Sequence, residues 1–354
     1  MRDFFLSLIK FGIGTAKVAP KPKQIDWDMI EDLAARQGLS AVLVDGVEKL
    51  LEDNKPPKEV LLQWIGEVLQ GYEYRYELYR RAIAEIAGFY NQHGYKMMVL
   101  KGYACSIDWP KPEHRPCGDI DIWLFGRQRE ADAIIAREKG YKIDNSHHHH
   151  SVFCWRDFSV ENHYDFINVH HHKSHVALEK TLKQLAQDDS HFVELYGEKV
   201  YLPSPNLHAL FLIKHAALHF VGTELTFRQL LDLAFFMQKH GKDVDWNWLL
   251  GVLDENGLLP FFQIINAICV EDLGFEHTIF PTISFNPMLK EEVLNDIFSY
   301  TYQKDASSNF IKRQIKRFSR WKANEWKHEL CYKESMWSAF WSGVWGHLLK
   351  PSSI

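Results

Sequence analysis

Residues 115–124 read Arg115-Pro116-Cys117-Gly118-Asp119-Ile120-Asp121-Ile122-Trp123-Leu124. In a strand, residues two apart share a face, so Asp119 and Asp121 stand side by side while Ile120, Ile122 and Leu124 turn into a core. Two carboxylates held this way are a place for a hard cation. Mg²⁺, or Mn²⁺, accepts such a pair and takes its remaining oxygens from water and a substrate's phosphates. The structural alternative is a pair of solvated acids on an edge strand. The apolar continuation Ile122-Trp123-Leu124-Phe125 reads instead as a central strand, where paired like charges need a counter-ion.

A third acid follows about forty residues on, in Phe158-Ser159-Val160-Glu161-Asn162-His163-Tyr164-Asp165-Phe166. Its alternation places Ser159, Glu161, His163 and Asp165 on one face and Val160, Tyr164 and Phe166 on the other. Glu161 and Asp165 compete for the third position. Upstream, Met97-Met98-Val99-Leu100 is a short apolar strand running into Lys101-Gly102, where a glycine lets the backbone approach a phosphate. The order is strand, glycine turn, short helix, acid-paired strand, helix, and a strand with a third acid.

These residues resemble the polymerase-beta-like nucleotidyltransferase superfamily, and most closely its bacterial family described as uncharacterised nucleotidyltransferase. Leu100-Lys101-Gly102, Arg115-Pro116 with Gly118-Asp119-Ile120-Asp121, and Val160-Glu161-Asn162-His163-Tyr164 carry the likeness. His208, His215 and His219, with Arg228 and Leu231-Asp232-Leu233-Ala234, are similar to that family's helical half, and Phe4-Phe5 and Leu33 to Gly38 to its opening helices. The resemblance implies Asp119, Asp121 and Glu161 as catalytic metal ligands, with His163 and Asp165 beside them. It implies phosphate contacts from Lys101, Gly102, Arg115 and Gly118, and nucleotide contacts from Lys214 and Arg228 in the helical half. One departure is that many superfamily members have Gly-Ser at the phosphate turn, whereas here Tyr103 follows Lys101-Gly102.

Composition sets the bounds. The chain has 354 residues, 46% of them hydrophobic, enough for two or three packed units. A net charge of −5 argues against a general nucleic-acid binder. Five cysteines, at 105, 117, 154, 269 and 331, show no paired spacing and read as reduced, buried thiols of a cytoplasmic protein. Phe4 to Ile13 is apolar but interrupted by Lys10 and reads as a packed helix rather than a signal peptide.

Residues 1–92 read as an N-terminal helical region. Asp26-Trp27-Asp28 starts one helix, and after Pro56-Pro57 a long run from Glu59 to Gln92 carries an apolar stripe of Leu61, Leu62, Ile65, Leu69 and Tyr72. Residues 93–172 form the catalytic core, with an amphipathic helix from Arg127 to Lys139 ending at Gly140. Residues 173–290 read as a helical domain closing the cleft, with Asn206 capping a long helix, then helices over Leu225 to Gln238 and Trp246 to Glu255. In residues 291–354, eight Lys or Arg against two Glu between Lys312 and Lys333 precede Trp337, Trp341 and Trp345, with Phe340 and Leu348 beside them. Docking on the helical domain is the plain reading of this stripe. A weak contact with an anionic membrane surface or a protein is the alternative.

The histidine runs 147–150 and 170–172 fall in a hairpin loop and at a strand end, where they read as solvated with adventitious affinity for transition metals. A zinc hydrolase would want His-Glu-x-x-His, which is absent, as are Gly-x-Ser-x-Gly, a Walker loop and a dinucleotide fingerprint. His215 and His219, at i and i+4, read as lining the interdomain cleft.

The fold class is therefore α+β, a nucleotidyltransferase-like mixed sheet core flanked by N-terminal and C-terminal helical regions. The expected function is metal-dependent transfer of an NMP group from an NTP to an unidentified acceptor: a small molecule, a protein or RNA. The rival is a catalytically inactive nucleotide-binding sensor on the same fold.

Overall fold

A computed structural model describes residues 1–21, 25–147, 149–169, 172–299, 318–319, 321–339 and 341. Four helices open the chain, α1 (Arg2–Ile13), α2 (Trp27–Gln37), α3 (Ser40–Glu48) and α4 (Lys58–Val68). The Asp26 side chain caps α2 by accepting from the Met29 amide, and Gly38 ends it in the left-handed conformation. A π-helical turn over Leu69–Tyr74 joins α4 to α5 (Arg75–Gln92), so the long run after Pro57 is continuous but not uniform. Of its expected stripe Leu61, Ile65 and Tyr72 pack against the core, and two members do not. Leu62 and Leu69 are 57% and 50% exposed, and Trp64 and Val68 are buried in their place.

The centre is a six-stranded sheet in the order β3-β4-β2-β1-β6-β5. Its strands are β1 (Met98–Val99), β2 (Ile120–Trp123), β3 (His150–Trp155), β4 (Phe158–His163), β5 (Phe192–Leu195) and β6 (Glu198–Tyr201). Between β1 and β2 lies the single-turn α6 (Tyr103–Ser106), and between β2 and β3 lies α7 (Gln128–Lys139), closed by Gly140 as expected. β2 is central, parallel to β4 and antiparallel to β1. The β5–β6 hairpin corrects the expectation of helix alone after residue 172. Its two-residue loop, Tyr196-Gly197, has positive φ at both positions, the turn that matches strand twist.

Residue parity divides the sheet between two cores. Met97, Val99, Ile120, Ile122, Leu124, Val160 and Val200 pack with α5 and α7 on one face. Met98, Leu100, Trp123 and Tyr201 face the other way, into a core shared with α1, α2 and α3 and with the helices that follow the sheet. Those are α8 (Lys173–Leu185), α9 (Pro205–Gly222), α10 (Phe227–His240), α11 (Trp246–Glu255), α12 (Leu259–Glu271), α13 (Pro287–Ser299) and α14 (Glu325–Cys331). Helix α9 begins at Pro205 after Ser204. Asn206 is not its cap and instead accepts from the Asp245 amide at 2.8 Å, tying α9 to the start of α11.

All five cysteines are free. Cys105, Cys269 and Cys331 are buried, but Cys154 is exposed on the edge strand β3, against the expectation of burial. Among the described residues no helix is long and apolar enough to cross a membrane. Of the tryptophan stripe, Phe340, Trp345 and Leu348 lie outside the described residues, while Trp337 meets Trp321 edge to face at 5.1 Å.

Candidate active site

Because Ile120 and Ile122 point into the α5–α7 core, Asp121 must point to the opposite face, beneath α9. The parallel register sets Asp121 directly beside Glu161 and Ile122 beside Asn162. Two residues further along β4, His163 returns to the face of Glu161 and reaches Asp121, Nε2 to Oδ1, at 2.9 Å. Asp121, Glu161 and His163 can each bring one ligand atom within 4.8 Å of the others. Asp119 precedes β2, is exposed, and stands outside this trio on the wall of the adjoining cavity. The acids expected side by side are thus one buried and one at the rim.

Two cations neutralise Asp121. Lys101 Nζ lies 2.6 Å from its Oδ1, and both side chains are largely buried. Burial opposes ionisation of Asp121, but Lys101 and His163 outweigh it and hold the carboxyl below its ordinary value. Burial likewise works against charge on His163, and its bond to Asp121 with Glu161 nearby overcomes this, raising the imidazole. Asp119 goes the other way: the surrounding protein and the Asp121 charge raise its carboxyl. Asp165 is not part of this set. Its carboxylate pairs with Lys183, and only its backbone carbonyl meets His163, 3.3 Å from Nδ1.

The acid face opens on a cavity of about 180 Å³ whose walls include Lys101, Asp119, Asp121, His215, His219 and Arg228. Gly102 and Gly118 also line it. Gly102 has φ +48, and a Cβ there would stand 2.1 Å from the Tyr79 hydroxyl, which donates to the Asp119 carbonyl at 3.0 Å. The glycine is therefore required by the packing of Tyr79 as well as by its backbone angle.

Arg115 departs from its expected phosphate contact. Its Nε and Nη2 donate to the two oxygens of Asp232 at 2.7 and 2.8 Å, and its Nη1 donates to the Pro116 carbonyl at 3.1 Å. Trp109 Nε1 also donates to Asp232, at 2.9 Å. This buried fork fastens the loop before β2 to α10, because a planar guanidinium matches a carboxylate at two points. Arg228, one turn before Asp232, forms no ion pair among the described residues. Burial and the neighbouring Arg115 cation both depress it, with Asp232 already shared. Among the described residues, Arg228 is the cavity cation that has no ion-pair partner.

Lys214 also departs from expectation. It is fully buried away from the cavity, 3.2 Å from the Tyr332 hydroxyl and 4.3 Å from that ring's centroid, and burial brings its amine down to about 7. His215 and His219 do line the cavity. Burial, with Lys101 nearby, lowers both imidazoles, His219 to about 4, so they are neutral near pH 7.

Of the histidine runs, His147 is exposed as expected, His149 is half-buried and His150 and His172 are buried, while His148, His170 and His171 lie outside the described residues. His150 begins β3 opposite His163 and is buried, and His149 packs edge to face on it with centroids 4.4 Å apart. His172 stacks on Tyr332 at 4.0 Å. The alternation of residues 150–155 with that of 158–163 was the available signal, since a hairpin there puts His150 on the face of Glu161.

The donor set fits a divalent ion. Asp119 lines the same cavity as Asp121, Glu161 stands beside Asp121 in register, and the repulsion from both that raises Asp119 is the kind a bound cation relieves.

The family described as uncharacterised nucleotidyltransferase matches the chain over residues 23–274, a span that covers the sheet, the acids and helices α9 and α10. No curated protein and no solved structure matches the chain. The acid-bearing parallel strands and the stretch matched lead to one assignment: the chain belongs to the uncharacterised nucleotidyltransferase family.

Proposed function

We propose that the protein transfers an NMP group from an NTP to an acceptor hydroxyl or phosphate, releasing pyrophosphate. The observation that carries this is the parallel register that sets Glu161 beside Asp121, an acid that lines one cavity with Asp119 and Arg228. Asp119, Asp121 and Glu161 would hold Mg²⁺ or Mn²⁺, which when bound offsets the charge of the phosphates and favours ionisation of the acceptor oxygen. Glu161, kept ionised by the nearby His163 against the effect of burial, accepts the acceptor's proton. The acceptor oxygen forms a bond to the α-phosphorus as the bond to the pyrophosphate oxygen breaks. Arg228 and Lys101 meet the phosphate oxygens, and His163 keeps Asp121 aimed at the opening. Neutral His215 and His219 offer hydrogen bonds without adding charge.

A second reading rests on the Lys101–Asp121 contact at 2.6 Å. An ammonium already neutralising the buried acid suits a catalytically quiet sensor that binds the nucleotide without cleaving it.

One experiment separates them. Purified protein is incubated with each labelled NTP and Mg²⁺ or Mn²⁺, and pyrophosphate release and label transfer into a cell extract are followed. Transfer that disappears in Asp119→Asn and Asp121→Asn supports the transferase. Metal-dependent binding without release supports the sensor, and release that survives both substitutions sinks the site assignment.

A further inference from the structure

The pairing that builds the acid site also builds a nitrogen-rich corner beside it. In the β3–β4 ladder His150 lies opposite His163 and Val152 opposite Glu161, so His150, His163 and Glu161 share one face. His149 stands immediately before β3, its ring centroid 4.4 Å from that of His150 and 5.9 Å from that of His163. One ring nitrogen from each of His149, His150 and His163 lies within 4.8 Å of the other two. Glu161 flanks them, 3.8 Å from His150 Nε2 and 3.6 Å from His163 Nε2.

A second observation is independent of that spacing. Nδ1 of His149 and Nδ1 of His150 are both buried and have no hydrogen-bond partner among the described residues. Packing alone would select against two neighbouring ring nitrogens left without partners, because each gives up its water and receives nothing in return. A ligand that accepts lone pairs removes that cost once the ring turns its Nδ1 toward the cluster, since His150 presents Nε2 to Glu161 as it stands.

We propose that His149, His150 and His163, with Glu161, form a site for one divalent transition ion of borderline softness, Zn²⁺ foremost. Three imidazoles and a carboxylate suit Zn²⁺, whereas Mg²⁺ prefers oxygen ligands. With Zn–N bonds of about 2.1 Å, the nitrogens need to close by roughly an ångström, a movement within the reach of ring rotation. The site uses two residues of the acid face, so filling it draws His163 and Glu161 away from Asp121. If the transfer reading is right, Zn²⁺ then antagonises Mg²⁺-dependent turnover. That consequence rests on the proposed function, but the binding itself does not.

The test uses the full chain, freed of metal by chelation, titrated with Co²⁺ as a visible reporter and then with Zn²⁺. One Co²⁺ per chain should bind with the intense absorption of a four- or five-coordinate ion, be displaced by Zn²⁺, and persist in excess Mg²⁺. The double variant His149→Ala/His150→Ala should lose about 100-fold in affinity or more, beyond what loss of an outer-shell contact costs. Should that variant fail to fold, His149→Gln alone, at a half-buried position, should still weaken binding. Asp119→Asn should leave the Co²⁺ spectrum intact while abolishing turnover, which separates failure of this site from failure of the transferase reading. Faint absorption like that of the aqueous ion, displacement by Mg²⁺, or binding lost on His170→Ala/His171→Ala rather than on the His149 and His150 substitutions would overturn the proposal.

Discussion

Lys101 Nζ touches Asp121 Oδ1 at 2.6 Å, and the pair is nearly enclosed, with side chains 18% and 3% exposed. The lysine is a built-in counter-ion for the acid that any divalent cation must also meet. Removing one partner of a buried pair leaves the other charge unpaid in a poor solvent. Lys101→Met should therefore lower stability by about 3 kcal/mol in chelator. Added Mg²⁺ should recover more stability in this variant than in the parent, because the cation replaces the missing ammonium. Thermal unfolding with and without Mg²⁺ reads both effects, and an equal Mg²⁺ increment in the two proteins would separate Lys101 from the metal position.

Two arginines in one cavity make a contrast that a single substitution could not. Arg115 is spent on Asp232, so Arg115→Met should cost about 3–5 kcal/mol in urea unfolding, as expected when a buried ion pair loses one member. Arg228 has no such partner among the described residues and is repelled by Arg115. Arg228→Met should leave stability within about 0.5 kcal/mol of the parent or raise it slightly, as for sites outside any buried network. It should weaken NTP binding at least tenfold, the loss of one charge-assisted contact worth about 1.5–3 kcal/mol. Equilibrium binding of a labelled NTP checks this, and unchanged affinity would leave Arg228 without a role.

Lys214 gives a pH test away from the site. Its folded value of about 7 lies below the ordinary lysine value, so between about pH 7 and 10 the unfolded chain holds a proton that the folded chain has released. Stability must then rise with pH across that window, since the unfolded state binds more protons there. Lys214→Met should remove this rise and stabilise the protein at pH 7 on the order of 4 kcal/mol, with nucleotide binding unaltered. Unfolding measured at several pH values decides it. A rise that persists in the variant would assign the titration to another group.

The sequence showed the chemistry of this fold more clearly than its neighbours. Alternation alone placed Asp121 and Glu161 opposite the apolar faces of their strands, because a pleat leaves no other choice once Ile120, Ile122 and Val160 are buried. Local signals also located the start of α2, through Asp26, and the end of α7, through Gly140. What stayed hidden were partners distant in the chain. Arg115 is 117 residues from Asp232, and nothing in its surroundings tells a phosphate ligand from a clamp. Lys183 claims Asp165 from α8, and Tyr332 claims Lys214 from beyond α14. His150 looked like loop because a run of histidines carries no alternation of its own. It becomes a site residue only once β3 is paired residue by residue with β4.

Asp119 and Asp121, two residues apart, should respond differently to the same substitution. Asp119 stands at the cavity rim, makes no ion pair among the described residues, and has its carboxyl raised by the surrounding protein, which displaces part of its water, and by Asp121. Neutralising it relieves repulsion, so Asp119→Asn should keep or slightly raise thermal stability while removing turnover. Asp121 is buried and anchors both Lys101 and His163. Asp121→Asn strands two cations, and it should cost about 3–5 kcal/mol in addition to turnover. The sign with pH follows from the depressed carboxyl: the stabilisation due to Asp121 is present above the unfolded value of about 4 and is lost as pH falls through the lower folded value. The parent should therefore lose stability in acid, and Asp121→Asn should show a shallower decline. Unfolding curves for both variants across pH, run beside pyrophosphate release, test the pair. Equal destabilisation by the two substitutions would mean that the rim acid is held as tightly as the buried one, and that the difference in their surroundings does not govern this site.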